Sequence, residues 1–114
     1  MKRVPLSLLR LLSSLLFLGS LCAAAPAGSE QYPHTVAALQ QRYADEVIAH
    51  RQYGAFAKHA DSEDYPAIAH LFRALAASEG VHARNFSRLL RELGEEPADP
   101  PVKIELSSTR AHLK

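Results

Sequence analysis

Cysteine is almost missing from this chain: Cys22 is the single one, and it lies in an amino-terminal segment that the sequence marks for removal. The remainder carries no thiol, which excludes disulfides, zinc ribbons, cysteinyl iron–sulfur ligation and cysteine nucleophiles. A charge excess is also missing. Thirteen basic residues stand against twelve acidic ones, and without Lys2, Arg3 and Arg10 the basic count falls to ten. Arg84, Arg88 and Arg91 solvate the late part of one helical segment and suit the negative end of its dipole, so no nucleic-acid footprint is present. Nor does any uninterrupted apolar run reach the ~20 residues of a spanning helix. Leu11 to Ala25 is shorter, follows Lys2, Arg3 and Arg10, and ends in small residues, with Ala23-Ala24-Ala25 or Ala25-Pro26-Ala27 as cleavage candidates. This is the plan of a secretory signal peptide, assigned to residues 1–27, and it predicts an exported, periplasmic or secreted protein with no stable membrane insertion after cleavage. Read through Arg10, Leu6 to Ala25 could instead stay as an uncleaved anchor; Leu21 directly before Cys22 argues against lipoprotein processing.

What remains is one small domain, and its pattern is helical. Val36, Leu39, Tyr43, Glu46, His50, Tyr53, Ala57 and Ala60 recur in steps of three and four, as do Ile68, Phe72, Leu75, Glu79, His82, Phe86, Leu89 and Leu93. Each series is the seam of a helix facing another helix. After a polar linker at 28–34, Thr35 is the expected N-cap of a helix running to about Ala60. Asp61-Ser62-Glu63-Asp64 makes an acidic turn that suits the positive start of the next helix, where Pro66 is tolerated. The second helix runs to about Leu93, with Gly94 as its C-terminal cap. So short a connection makes the two helices antiparallel neighbours, an all-α hairpin over 35–94.

Both seams are interrupted by groups that do not belong in a core. A buried carboxylate is costly unless it takes a proton or meets a cation, and here Glu46, Glu79 and His82 interrupt together. Antiparallel geometry brings them level: Glu46 and Glu79 each lie roughly 21 Å from the turn at 1.5 Å per residue. A metal ion is the economical explanation, with Glu46, Glu79 and His82 as ligands. His50 reads as a supporting group that Glu46 could satisfy one turn away, and Tyr53 as a packing residue with its hydroxyl near the site. The competing explanation is a helical dimerisation module in which Glu46, His50, Glu79 and His82 form a buried polar network that sets register. His34, His59, His70 and His112 have no partner at ligand spacing and read as surface residues.

The two segments also echo each other, Glu46-Val47-Ile48-Ala49-His50-Arg51-Gln52-Tyr53 against Glu79-Gly80-Val81-His82-Ala83-Arg84-Asn85-Phe86, a hint of pseudo-twofold organisation. The tail, 95–114, is proline-rich through Pro97, Pro100 and Pro101. Val102 to Leu106 could be extended, and Ser107-Ser108-Thr109 then opens a single helical turn, too short to hold itself in water.

Glu46 with Tyr53, Phe56-Ala57, Tyr65-Pro66-Ala67-Ile68-Ala69, Leu71-Phe72-Arg73 and Ala77-Ser78-Glu79-Gly80-Val81-His82-Ala83 together resemble the first two helices of the rubrerythrin-type ferritin-like proteins, over roughly Leu39 to Leu93. The resemblance implies half of a ferritin-like four-helix bundle and a diiron carboxylate centre that reacts with peroxide or oxygen, as a peroxidase or ferroxidase. Ser108 to Lys114 resembles only the entry into that family's third helix, and the cysteine-bound rubredoxin module is missing, so an external electron donor would be needed. Two copies would supply four glutamates and two histidines, the ligand set of a dinuclear site with two iron ions per homodimer; manganese or zinc would also suit oxygen and imidazole donors. The other outcome is a truncated relative that binds metal poorly.

Overall fold

The computed structural model describes residues 28–114. The expected signal segment, 1–27, lies outside the described residues. Four helices follow in order: α1 (Gly28–Gln31), α2 (Pro33–Ser62), α3 (Pro66–Glu92) and α4 (Thr109–His112), with no strand among the described residues. The two long ones, 30 and 27 residues, pack as the antiparallel hairpin that the heptad spacing predicts. No helix among the described residues is long and apolar enough to cross a membrane.

Both long helices begin on a proline and end in the same way. Pro66 opens α3 as expected. Pro33, rather than a cap at Thr35, opens α2, because a ring with fixed φ and no N–H suits the first helical position without any side-chain cap. At the far ends, Tyr65 N–H donates to the Ala60 carbonyl and Glu95 N–H to the Leu90 carbonyl, at 2.9 and 3.0 Å. Each closure needs one residue in the left-handed region just past the helix. Gly94 takes it with φ 78° and Asp64 with φ 61°.

The expected linker at 28–34 is not a linker. Gly28 N–H donates to the Leu93 carbonyl at 2.7 Å, and Ser29 N–H to a Glu95 carboxylate oxygen at 2.7 Å. A Cβ on Gly28 would come within 2.7 Å of Leu93, so only glycine allows this approach. The bond from Ser29 holds the Glu95 carboxyl below its ordinary pKa. The start of the described chain is thus clamped to the far end of α3.

The contact between the long helices runs one residue away from the expected seam. On α3 the buried positions are Ala69, Phe72, Ala76, Gly80, Ala83, Ser87 and Leu90. Of the expected series only Phe72 is buried; Ile68, Leu75, Glu79, Phe86 and Leu93 are half-buried, and His82 and Leu89 are exposed. The reason is size: two helices approach most closely along a ridge of small side chains, and the larger apolar groups are then left on the flank. At the turn end the flank is filled by Phe56, Ala57, Ala60, Ala69 and Phe72, with Tyr53, Ile68, Leu75 and Ile104 against them. The rings there meet edge to face, Phe56 against Phe72 at 5.5 Å and Tyr53 against Phe56 at 6.4 Å, while Tyr53 stacks on Phe72.

After Gly94 the chain turns back and runs alongside α2 in the same direction. Gln40 donates to the Glu96 carbonyl and accepts from Ala98 N–H, Tyr43 donates to Asp99, and Arg51 pairs with the same carboxylate at 3.4 Å. Val102 to Leu106 finds no partner strand; Ile104 instead packs on the aromatic cluster. The strap ends in α4, one turn that exists despite its length. Thr109 is almost fully buried, its N–H bonds the Glu63 carboxylate at 2.8 Å, and the His112 ring stacks on Phe56 at 3.7 Å. Tertiary contacts supply what an isolated turn lacks. His112 is therefore not the surface residue expected.

Candidate metal centre

Glu46 on α2 and Glu79 and His82 on α3 meet midway along the hairpin. One ligand atom from each lies within 4.8 Å of the others. His82 Nδ1 is 2.9 Å from one Glu79 oxygen and 3.7 Å from one Glu46 oxygen. The carboxylates are 20% exposed and the imidazole 50%, so the cluster opens on the flank of the hairpin where the large apolar side chains stand half-covered. Glu79 and His82 share that flank because they are one helical turn apart; Glu46 joins them because the antiparallel pairing makes it level.

Burial pushes the Glu46 carboxyl above its ordinary value, and a hydrogen bond and charge repulsion from Glu79 push it further, against the pull of His82 and Arg42. A cation between the two carboxylates would relieve the repulsion that raises it. The donor set, two carboxylates and one imidazole with no thiolate, fits a hard or borderline ion such as iron, manganese or zinc. One chain supplies three ligands, which falls short of two complete coordination spheres.

His50 does not join the carboxylates. Its Nδ1 donates instead to the Ala76 carbonyl, at 2.7 Å, and the ring lies against Gly80. The helical tilt of Cα–Cβ bonds toward the N-terminus carries the His50 ring along α2 away from the turn, to the level where α3 presents bare backbone. Tyr53 is half-buried, its ring held between Phe56 and Phe72. Of the other histidines, His34 and His70 are exposed, while His59 is half-buried with Nε2 3.5 Å from Glu63. Gly80 is a further contributor, through its bare backbone against the His50 ring. Its signal was a glycine within a helix beside a candidate ligand, where it disfavours the helix by roughly 0.5–1 kcal/mol unless something needs the space.

An antiparallel hairpin of two long helices, with carboxylate and histidine side chains on its open flank, is half of a ferritin-like bundle. The chain belongs to the rubrerythrin family, whose model matches residues 38–111. A stretch of 54 residues is 39% identical to Rubrerythrin-2 of Clostridium acetobutylicum, covering 47% of this chain and 29% of that protein. The match thus spans less than a third of that relative's length. No solved structure matches the chain.

Proposed function

We propose that this rubrerythrin-family chain binds iron in a dinuclear centre completed between two copies, and that the loaded protein reduces peroxide or oxidises ferrous iron with the help of an external electron donor. The observation that carries the reading is the convergence of Glu46, Glu79 and His82 on a flank that the hairpin leaves uncovered. Glu46 and Glu79 would offer oxygen ligands and His82 its Nδ1. Bound ferrous ions would supply the two electrons that a peroxide bond takes up. The chain's own part is to hold the three donors at one height, to shield two of them from water, and to keep His82 oriented through its contact with Glu79. Tyr53, in the aromatic cluster toward the turn, is the residue proposed to position protons; His50 is committed elsewhere through Nδ1. The segment at 1–27 supports export as the route by which the protein reaches its site of action.

Thermal unfolding with and without metal tests the reading. At free metal 100-fold above Kd, binding stabilises by about 2.7 kcal/mol. For a domain of this size that raises Tm by roughly 10–20 °C. Glu79→Ala is expected to remain folded and to lose the rise. Superimposable curves for the parent protein would leave the other reading, in which Glu46, His50, Glu79 and His82 form a polar network that only sets helix register.

A further inference from the structure

Gly80 is buried in the middle of α3, next to one candidate ligand and two residues before another. A Cβ built there would lie 3.2 Å from His50 Nδ1 and 3.4 Å from His50 Cε1, and 3.6 Å from an Arg84 nitrogen. The imidazole thus stands tightly against the place a Cβ would take. Its Nδ1 donates to the Ala76 carbonyl at 2.7 Å. In the helical ladder that same carbonyl accepts the Gly80 N–H. His50 therefore grips both ends of one α3 backbone hydrogen bond, from a position one turn beyond Glu46 on α2. The contact falls at the level of the cluster.

We propose that His50, seated on the bare backbone of Gly80 and bonded to the Ala76 carbonyl, is a positioning residue that sets the separation of Glu46 from Glu79 and thereby the affinity of the centre for a divalent cation. The inference rests on the metal reading above and deepens it. His50 acts without touching the ion or its ligands. An alanine at 80 would force the ring outward by a few tenths of an ångström or break its bond, and the two carboxylates would part with it. Outer groups that orient ligands are typically worth 10–100-fold in metal affinity.

The test is calorimetric titration of the purified protein with Co(II), with the visible spectrum of the bound ion as a second readout, for the parent, Gly80→Ala, His50→Ala, His50→Asn and the double variant His50→Ala/Gly80→Ala. Gly80→Ala is expected to lower affinity by about tenfold or more. Its apo-protein should melt no lower than the parent, because alanine is the better helix former. A merely structural defect would lower both. His50→Ala should weaken binding similarly, and adding Gly80→Ala to it should cost nothing further, since the clash is gone. Asparagine at 50 keeps an N–H at the same reach and should restore most of the affinity. Equal affinities for the parent and Gly80→Ala, or losses that simply add in the double variant, would overturn the inference while leaving the metal reading standing. A parent protein that takes up no Co(II) would remove both.

Discussion

Glu63 closes α2 with its two carboxylate oxygens engaged in different directions, one 3.5 Å from His59 and the other accepting the Thr109 N–H. The hydrogen bond from Thr109 holds its carboxyl below the ordinary value of 4.5. A carboxyl whose pKa is lower in the folded state than in the unfolded one gives stability that is full above the ordinary value and is lost as pH falls through the lower folded value. Docking of α4 should therefore weaken on acidification in the range just below pH 4.5. Hydrogen exchange at the Ala111 and His112 amides, which bond the Ser108 carbonyl, should report it. Glu63→Gln keeps an oxygen acceptor and should hold the turn at neutral pH while losing that acid dependence; Glu63→Ala should release it at any pH. Glu46, Glu79 and His82 could be found from sequence because heptad position and distance from the turn are local quantities. The partners of His50 and His112 could not. One depends on how closely two backbones approach at Gly80, the other on where a distant strap comes to rest against Phe56.

The two left-handed closures make opposite expectations for the elements they end. Gly94, at φ 78°, is the residue type the geometry favours, and Gly94→Ala should destabilise by roughly 1–2 kcal/mol. Asp64 adopts nearly the same conformation with a side chain present, so Asp64→Gly should stabilise by up to about 1 kcal/mol, the steric relief being partly offset by the entropy of glycine in the unfolded chain. Urea midpoints at unchanged slope would measure both. Gly94→Ala should additionally loosen α1, because Leu93 and Glu95 flank the turn and hold Gly28 and Ser29. Helix type, direction and the ends at Pro66 and Gly94 were legible because proline and glycine act within one turn of themselves. The rotational phase of the packing was not. A heptad count follows the large apolar residues, while the contact between just two helices follows the small ones, and the two series sit side by side on α3.

For the whole molecule, that phase difference leaves Leu75, Phe86, Leu89 and Leu93 only partly covered along the flank that also carries the cluster. A second copy related by a twofold axis would cover this patch with itself. The expected species is a dimer, or a multiple of it, with two metal ions per pair of chains, measured by light scattering together with metal analysis. Phe86→Glu should give a folded monomer with weakened metal retention, since the helix surface survives but its mate is repelled. A metal-loaded parent that scatters as a monomer at micromolar concentration would rule out completion by a second copy.

The aromatic cluster at the turn end has a consequence in time. Phe56, Ala57, Ala60, Ala69 and Phe72 lie close together along the chain, whereas the strap and clamp join residues 46, 56 and 66 positions apart. Short loops close before long ones, so the hairpin should nucleate at the turn and zip outward, with strap and clamp arriving last. Substitutions at Ala60 or Ala69 should then slow folding, and those at Thr109 should mainly hasten unfolding. Glu46 meets Glu79 during the zipping, before the strap has docked, so on the proposed metal reading the nascent hairpin should already begin to capture a cation.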